Sequence, residues 1–253
     1  MSTDDAAEIR VGTAGWSVPK AHAAAFPDEG SHLSRYGAVF NAVEINSSFY
    51  RPHRRATYER WAATVGDHFR FAVKVPRAIT HDARLEGCDA LVGAFLEETA
   101  GLGARRGPLL VQLPPSLPFR PGMADRFLAD LAGRADAPIV CEPRHRSWFD
   151  DRVEALLQSL RIARVAADPP PVPGADAPGG WPGLVYLRLH GSPRIYYSAY
   201  DEAFLGRVSE SLLARRAEGA TAWCILDNTA AFAATADALS VRAMVSARRS
   251  GDR

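Results

Sequence analysis

The stretch LVYLRLH, residues 184–190, decides the fold. Side chains along a strand point alternately to its two faces, so residues two apart share a face. Val185, Leu187 and Leu189 make one aliphatic face, while Tyr186, Arg188 and His190 make the other. The question is whether that second face meets water or an enclosed polar site.

Working outward, seven more strand-like runs recur: 9–14 (IRVGTA), 42–46 (AVEIN), 69–75 (FRFAVKV), 109–113 (LLVQL), 139–142 (IVCE), 163–168 (ARVAAD) and 222–227 (AWCILD). Apolar residues at three- and four-residue steps predict helices over 54–65, 89–102, 126–131, 151–160, 201–218 and 230–247. Tyr58, Trp61 and Ala62 share one face of the first of these. Strands alternating with helices imply parallel pairing through right-handed crossovers. Eight such units in 253 residues predict a single (β/α)8 TIM-type barrel over 9–248, with flexible ends at 1–8 and 249–253. An open doubly wound sheet is the alternative, although it normally has fewer strands.

Two segments break the pattern. PPPVPGADAPGGWPG, residues 169–183, cannot form a helix, because its prolines lack amide donors and its glycines weaken helical order. The sixth helix is therefore expected to be replaced or shortened by a loop. PPSLPFRP, residues 114–121, is a second rigid loop.

Barrel strands are covered on both faces and usually read as continuous apolar runs. The aliphatic face of 184–190 must then meet the helices, so Arg188 and His190 point inward. The same alternation turns Val43 and Ile45 outward and Glu44 and Asn46 inward. It places Ala72 and Lys74 inside, opposite Phe71, Val73 and Val75. Gln112, Glu142 and Asp168 follow suit, and at the eighth run either Asp227 or Asn228 faces in. Any one of these has a plain explanation as a structural ion-pair partner. Together they fall at the carboxyl ends of their strands, where barrel enzymes assemble their sites.

The following loops carry aromatics beside arginines. Trp16 follows the first run, and Phe49, Tyr50 and Arg51 follow the second. His81 lies beyond the third, Arg144, His145 and Trp148 beyond the fifth, and Arg194, Tyr196 and Tyr197 beyond the seventh. Such a rim suits a ligand with a flat or sugar-like face and an anionic group. Arg54, Arg55 and Arg146 read more simply as solvated. Asn228-Thr229 reads as the N-cap of the last helix, which would bring free amides near the mouth.

Bulk composition narrows the classes. Lys plus Arg number 30 against 29 Asp plus Glu, which leaves no global footprint for nucleic acid or an anionic membrane. Cys88, Cys141 and Cys224 show no zinc spacing and read as small buried hydrophobes. MSTDDAAEIR has neither a signal nor a transit pattern, and no apolar run is long enough to span a bilayer. A soluble cytoplasmic protein with no membrane partner is expected.

The motifs VGTAGWS, NAVEINSSFYR, FRFAVKVPRAITH, GPLLVQLPPSL, CEPRHRSWF, LRLHG followed by YYSAY, and WCILDNTA resemble the YecE-like family, or domain of unknown function 72. The resemblance runs from Val11 into the last helix. It implies a TIM-type barrel and no particular activity. The residues it carries over are Trp16, Glu44, Asn46, Tyr50, Lys74, His81, Gln112, Glu142, Arg144, His145, Trp148, Arg188, His190, Tyr197, Asp227 and Asn228.

Three chemistries fit. The first is metal-independent acid–base catalysis on a small anionic substrate, without a cofactor. Glu44, Lys74, Glu142, Asp168, Arg188 and His190 would be catalytic, with Lys74 also a candidate Schiff-base amine. Trp16, Asn46, Phe49, Tyr50, Arg51, His81, Gln112, Arg144, His145, Trp148, Arg194, Tyr196, Tyr197, Asp227 and Asn228 would bind the substrate. The second is a divalent-metal isomerase or endonuclease-like hydrolase, using Glu44, Glu142, Asp168, His190 and Asp227 as ligands. Lys74 and Arg188 argue against it by neutralising two of the carboxylates. The third is a non-catalytic nucleic-acid binder, which the neutral overall charge disfavours.

Overall fold

In the computed structural model, which describes residues 8–251, helices and mostly parallel strands alternate along the chain. Of the expected flexible ends, 1–7 and 252–253 lie outside the described residues, whereas 249–251 continue the last helix. The strands are β1 (Ile9–Thr13), β2 (Ala42–Ile45), β3 (Arg70–Lys74), β4 (Arg106–Gln112), β5 (Ile139–Glu142), β6 (Ile162–Arg164), β7 (Ala166–Asp168), β8 (Gly179–Gly180), β9 (Leu184–Leu189) and β10 (Thr221–Leu226). The helices are α1 (His32–Val39), α2 (Ser47–Tyr50), α3 (Arg55–Thr64), α4 (Asp89–Thr99), α5 (Ala124–Arg134), α6 (Asp151–Ser159), α7 (Glu202–Ala217) and α8 (Ala233–Gly251). Side-chain caps start several of them: Asp150 accepts from the Val153 amide at α6, and Asp201 from the Phe204 amide at α7.

The ladders form two sheets, ordered β1-β10-β9-β7 and β2-β3-β4-β5-β6-β8. All pairings are parallel except that of the short β8 with β6. The architecture is thus mixed α/β with parallel sheets, and no single closed ladder runs through the described residues. Two seams join the sheets. Ala14 bridges Glu44, and the Gly15 amide donates to the Glu44 carbonyl at 2.9 Å. At the other seam the expected sixth strand splits at Val165: β6 pairs with β5 and β7 pairs with β9. Gly12 is needed at the first seam, because a Cβ there would lie 2.0 Å from the Ala42 carbonyl oxygen.

The alternation read from the sequence is realised as two separate apolar clusters. Val43, Ile45, Phe71, Val73, Val185, Leu187 and Leu189 pack in the larger cluster, against the helices. Ala42, Ala72, Leu110, Val140, Tyr186 and Ile225 belong to a second, smaller cluster formed by the opposite faces. On these strands the polar residue follows two positions later: Glu44, Lys74, Gln112, Glu142, Arg188 and Asp227. Parallel pairing keeps those positions level, as when Gln112 registers with Glu142. A polar layer therefore rests on an apolar one.

Residues 169–183 contain no helix, only the two-residue β8. Besides β8, two α-helices were absent from the sequence reading. Helix α1 buries Tyr36, whose hydroxyl accepts from the Thr13 amide at 2.8 Å; α2 is a single turn after β2. The last helix begins at Ala233 rather than beside Asn228, so Asn228 is not its N-cap. Cys88, Cys141 and Cys224 are buried free thiols, and burial pushes Cys141 and Cys224 up to about 12. Among the described residues no helix is long and apolar enough to cross a membrane.

Candidate functional site

Strand order brings residues 144 positions apart into contact. Arg188, on β9, is fully buried and lies among three carboxylates. Its Nη2 is 2.8 Å from Glu44 Oε1 and 2.9 Å from Asp227 Oδ2, and its Nη1 is 3.1 Å from Glu142 Oε2. Its Nε donates to Glu44 at 3.1 Å. The second Glu44 oxygen accepts from the Tyr186 hydroxyl at 2.8 Å. Glu142 Oε1 also accepts from Gln112 at 3.0 Å and from Arg144 at 2.8 and 3.0 Å. Arg144 is the partly exposed member, at the edge of the network.

Burial works against each of these charges, and the network reverses that. The carboxylates of Asp227, Glu44 and Glu142 outweigh burial at Arg188 and raise its pKa well above the usual range. Burial pushes Glu142 up, yet Arg188 and Arg144 hold it well below the ordinary carboxylate range. Asp227 is likewise lowered overall, by Arg188 and then His190, against the pull of burial.

His190 bridges the acids. Its Nδ1 is 3.0 Å from Asp227 Oδ2, and because that carboxylate is ionised, Nδ1 must be the donor. Its Nε2 lies 3.3 Å from Arg144 Nη2, 3.5 Å from Arg188 Nη1 and 3.4 Å from Glu142 Oε1. A neutral ring accepts there from a guanidinium; a protonated ring donates there to Glu142. Burial disfavours the charged ring, but the bonds to Asp227 and Glu142 raise its pKa on balance.

Lys74 completes the layer differently. It is 8% exposed, and among the described residues no carboxylate lies within ion-pairing distance of its Nζ. The ammonium sits 4.1 Å from the centre of the Phe49 ring. Burial, with repulsion from Arg188, lowers it to about 8 despite the acids nearby.

A family model described as "Protein of unknown function DUF72" matches residues 10–252. The chain belongs to the DUF72 family. It is 31% identical over 173 residues to the protein YecE of Escherichia coli K12, covering 66% of this chain and 61% of that protein. It is 33% identical over 142 residues to YecE of Escherichia coli O157:H7, covering 56% and 50%. The match thus spans only half to three-fifths of these relatives. Two solved DUF72 proteins share the fold. One, from Enterococcus faecalis V583, has a TM-score of 0.78 at 22% identity, covering 94% and 95% of the two chains. The other, from Thermotoga maritima MSB8, has 0.77 at 23%, covering 94% and 99%.

In this DUF72 chain the network gathers Glu44, Gln112, Glu142, Arg144, Arg188, His190 and Asp227 from the expected set, with Lys74 in its field. The alternation at β10 left two candidates, and Asp227 is the one that joins. Asn46 sits beside it, its amide 3.5 Å from Asp227 and its carbonyl oxygen buried without a partner. Phe49, Tyr196 and His81 lie around the layer: Phe49 against Lys74, Tyr196 edge-on to His190, and His81 edge-on to Phe49. Burial, with Lys74 and Arg77, lowers His81 to about 4.

Other expected residues are committed elsewhere. Asp168 accepts from the Tyr200 hydroxyl at 2.8 Å and stays outside the network. Trp148 is sealed in the larger apolar cluster, its indole N–H donating to the Leu117 carbonyl, so no ligand reaches it. Asn228 ties the Ser198 carbonyl to Asp237. His145 caps a short turn through Ser147. Trp16 packs on Trp61 and Phe71. Tyr50, Arg51, Arg194 and Tyr197 are exposed, with Arg194 stacked on Tyr197 at 3.8 Å.

Tyr186 is the network member missing from the expected site, although it shares the inward face of Arg188 and His190. A phenol two residues deeper reads as core packing until its partner, Glu44, is located. As for a divalent cation, the described residues hold no group of three or more His, Cys, Asp and Glu arranged to bind one. The Arg188 guanidinium stands where Glu44, Glu142 and Asp227 converge, and Asp168 is turned to Tyr200. These residues do not fit the metal site.

Proposed function

We propose that this DUF72 protein is an enzyme that moves a proton on a small anionic substrate, using His190 as the acid–base group. The observation that carries this reading is that His190 Nε2 has a partner in either protonation state: Arg144 when neutral and Glu142 when charged. Asp227 holds the other nitrogen and fixes the ring's orientation. A buried imidazole built only for packing has no use for both partners.

Lys74 supports the same reading. A buried ammonium without a carboxylate partner is unfavourable unless something else supplies the negative charge. We assign it to the charge that develops on the substrate once His190 has taken a proton. Its lowered pKa, about 8, also suits it to return a proton near neutral pH. The unpartnered Asn46 carbonyl oxygen offers an acceptor to a substrate hydroxyl.

In this reading residues 9–248 form one (β/α)8 barrel, with the polar layer in its C-terminal mouth. The backbone seams at Ala14–Glu44 and Val165 support closure, as does the separate interior cluster.

The test begins with a thermal-shift screen of phosphorylated and carboxylated metabolites against the purified protein. Ligands that stabilise it are then incubated with it in D2O and followed by NMR. Exchange of a substrate C–H for deuterium in the wild type, lost by at least about 100-fold in His190→Gln, is the expected result. Equal exchange in both proteins, or binding without exchange for every ligand, removes His190 from the role.

A further inference from the structure

A second cleft lies outside the ion-pair network, between the end of β1 and the start of α8. Thr13, Ser17, Thr229 and Thr235 line it, together with Gly15 and Ala234, and it holds about 280 Å3 including its open mouth. No charged side chain lines it. Its lining sets these hydroxyls beside Ala14 and the exposed Phe232 ring, around the first turn of a 19-residue helix.

Thr235 makes the cleft unusual. The residue is 4% exposed and its hydroxyl makes no side-chain hydrogen bond among the described residues; the oxygen is not sealed from solvent. Helical hydroxyls normally bond back to a carbonyl one turn earlier. Buried ones in this chain do so: Thr99 to Phe95 at 2.9 Å and Ser209 to Leu205 at 2.8 Å. Thr235, in the first turn, has no such bond and faces the cleft instead. Thr13 supplies no spare donor, since its hydroxyl donates to the Gly15 carbonyl at 2.6 Å. Ser17 and Thr229 make no side-chain bond among the described residues, so three free hydroxyls surround one space.

The start of α8 adds its own field. The first amides of a helix have no carbonyl one turn back within it, although that of Ala234 already donates to the Asn228 carbonyl at 3.1 Å, and the aligned peptide dipoles place partial positive charge there. The nearest acid on the helix, Asp237, is not on the cleft wall; it accepts from Asn228 at 2.7 Å and from the Tyr200 amide at 3.2 Å. Donors thus approach from three sides: the segment after β1, the segment after β10 and the helix itself. That arrangement matches a group with three outward oxygens better than a planar carboxylate, which an arginine fork would take.

We propose that this cleft seats a phosphoryl group, the anionic end of the small substrate whose reacting part meets His190 and Lys74. The placement of the reacting part rests on the proton-transfer reading above. The link is that Ala14, on the cleft wall, bridges Glu44 of the network, and that Asp227 lies two residues before Thr229 in the chain.

The test uses the whole protein, with inorganic phosphate and glycerol phosphate as separate probes in NMR titrations of backbone amides. The expected result is saturable shifts centred on residues 229–236 with both probes. Thr235→Val should weaken both by roughly tenfold or more, and Thr235→Ser should retain them. Ser17→Ala, at an exposed position that folding does not depend on, should weaken them by a smaller factor. Shifts scattered over surface arginines, affinities unchanged in Thr235→Val and Ser17→Ala, or exclusion of glycerol phosphate would each overturn the proposal. Phosphate affinity should persist in His190→Gln. Normal phosphate binding without deuterium exchange would refute the proton-transfer reading alone, so the two fail separately.

Discussion

Lys74 is the buried cation to which the fold gives no carboxylate at contact distance, and its thermodynamics follow from that. The native state lowers its pKa from 10.5 to about 8. The folded protein therefore binds the Lys74 proton less tightly than the unfolded chain does. Below pH 8 both states are protonated and the full penalty applies, on the order of 3 kcal/mol. Between pH 8 and 10.5 only the unfolded chain still holds the proton, so stability rises with pH and the penalty fades. Lys74→Met should accordingly stabilise the protein at pH 7 in urea denaturation, and the gain should shrink steadily toward pH 10. A destabilised variant, or a gain independent of pH, would show that Lys74 has a compensating partner. Tyr186 teaches the complementary lesson at this scale. Its face could be read from the sequence, but its bond to Glu44 joins positions 142 residues apart, and local spacing carries no information about such a pair.

At the scale of elements, the strands were legible because their two faces differ in chemistry. Aliphatic residues at every second position, with Glu44, Lys74, Glu142 and Arg188 between them, announce both the strand and its orientation. The split of the sixth run at Val165 was not legible: apart from Arg164, ARVAAD is small and apolar until its last residue, and the break comes from two different neighbours pairing with one strand. Helix α1 was hidden for a related reason, since HLSRYGAV has a short apolar stripe interrupted by Gly37. Trp148 misled for the opposite reason, because an aromatic next to arginines in a loop resembles a binding rim, whereas its indole fills the core. The β1–β2 seam allows a direct test. Gly12→Ala places a methyl group 2.0 Å from a backbone oxygen that cannot rotate away. A loss of at least about 2–3 kcal/mol in denaturation midpoint is expected, together with faster exchange of the Gly15 amide. A neutral substitution would mean that the two sheets separate easily there.

Across the molecule, the network ties both sheets together through one guanidinium. Glu142 and Asp227 have folded pKa values below their unfolded ones. Their contribution is complete above the ordinary carboxylate range, near pH 4, and is lost as pH falls through the lower folded values. Arg188→Met removes the shared cation and strands three acids, which should cost about 3–5 kcal/mol at pH 7. Protonating the acids relieves that repulsion, so the gap between wild type and variant should narrow as pH falls from 7 to 3. Parallel denaturation curves across that range would show that Arg188 is not what lowers the two carboxylates.

The apolar layer beneath the polar one has a further consequence for traffic. Tyr186 and Trp223 stack 5.9 Å apart under Glu44, and both are almost wholly inaccessible. On the barrel reading they act, together with Leu110, Val140 and Ile225, as a stopper beneath Lys74 and His190. A molecule that reaches those groups has to back out along its way in. On the proposed reading, arrival and departure then share one doorway, and Tyr196, edge-on to His190, stands beside it.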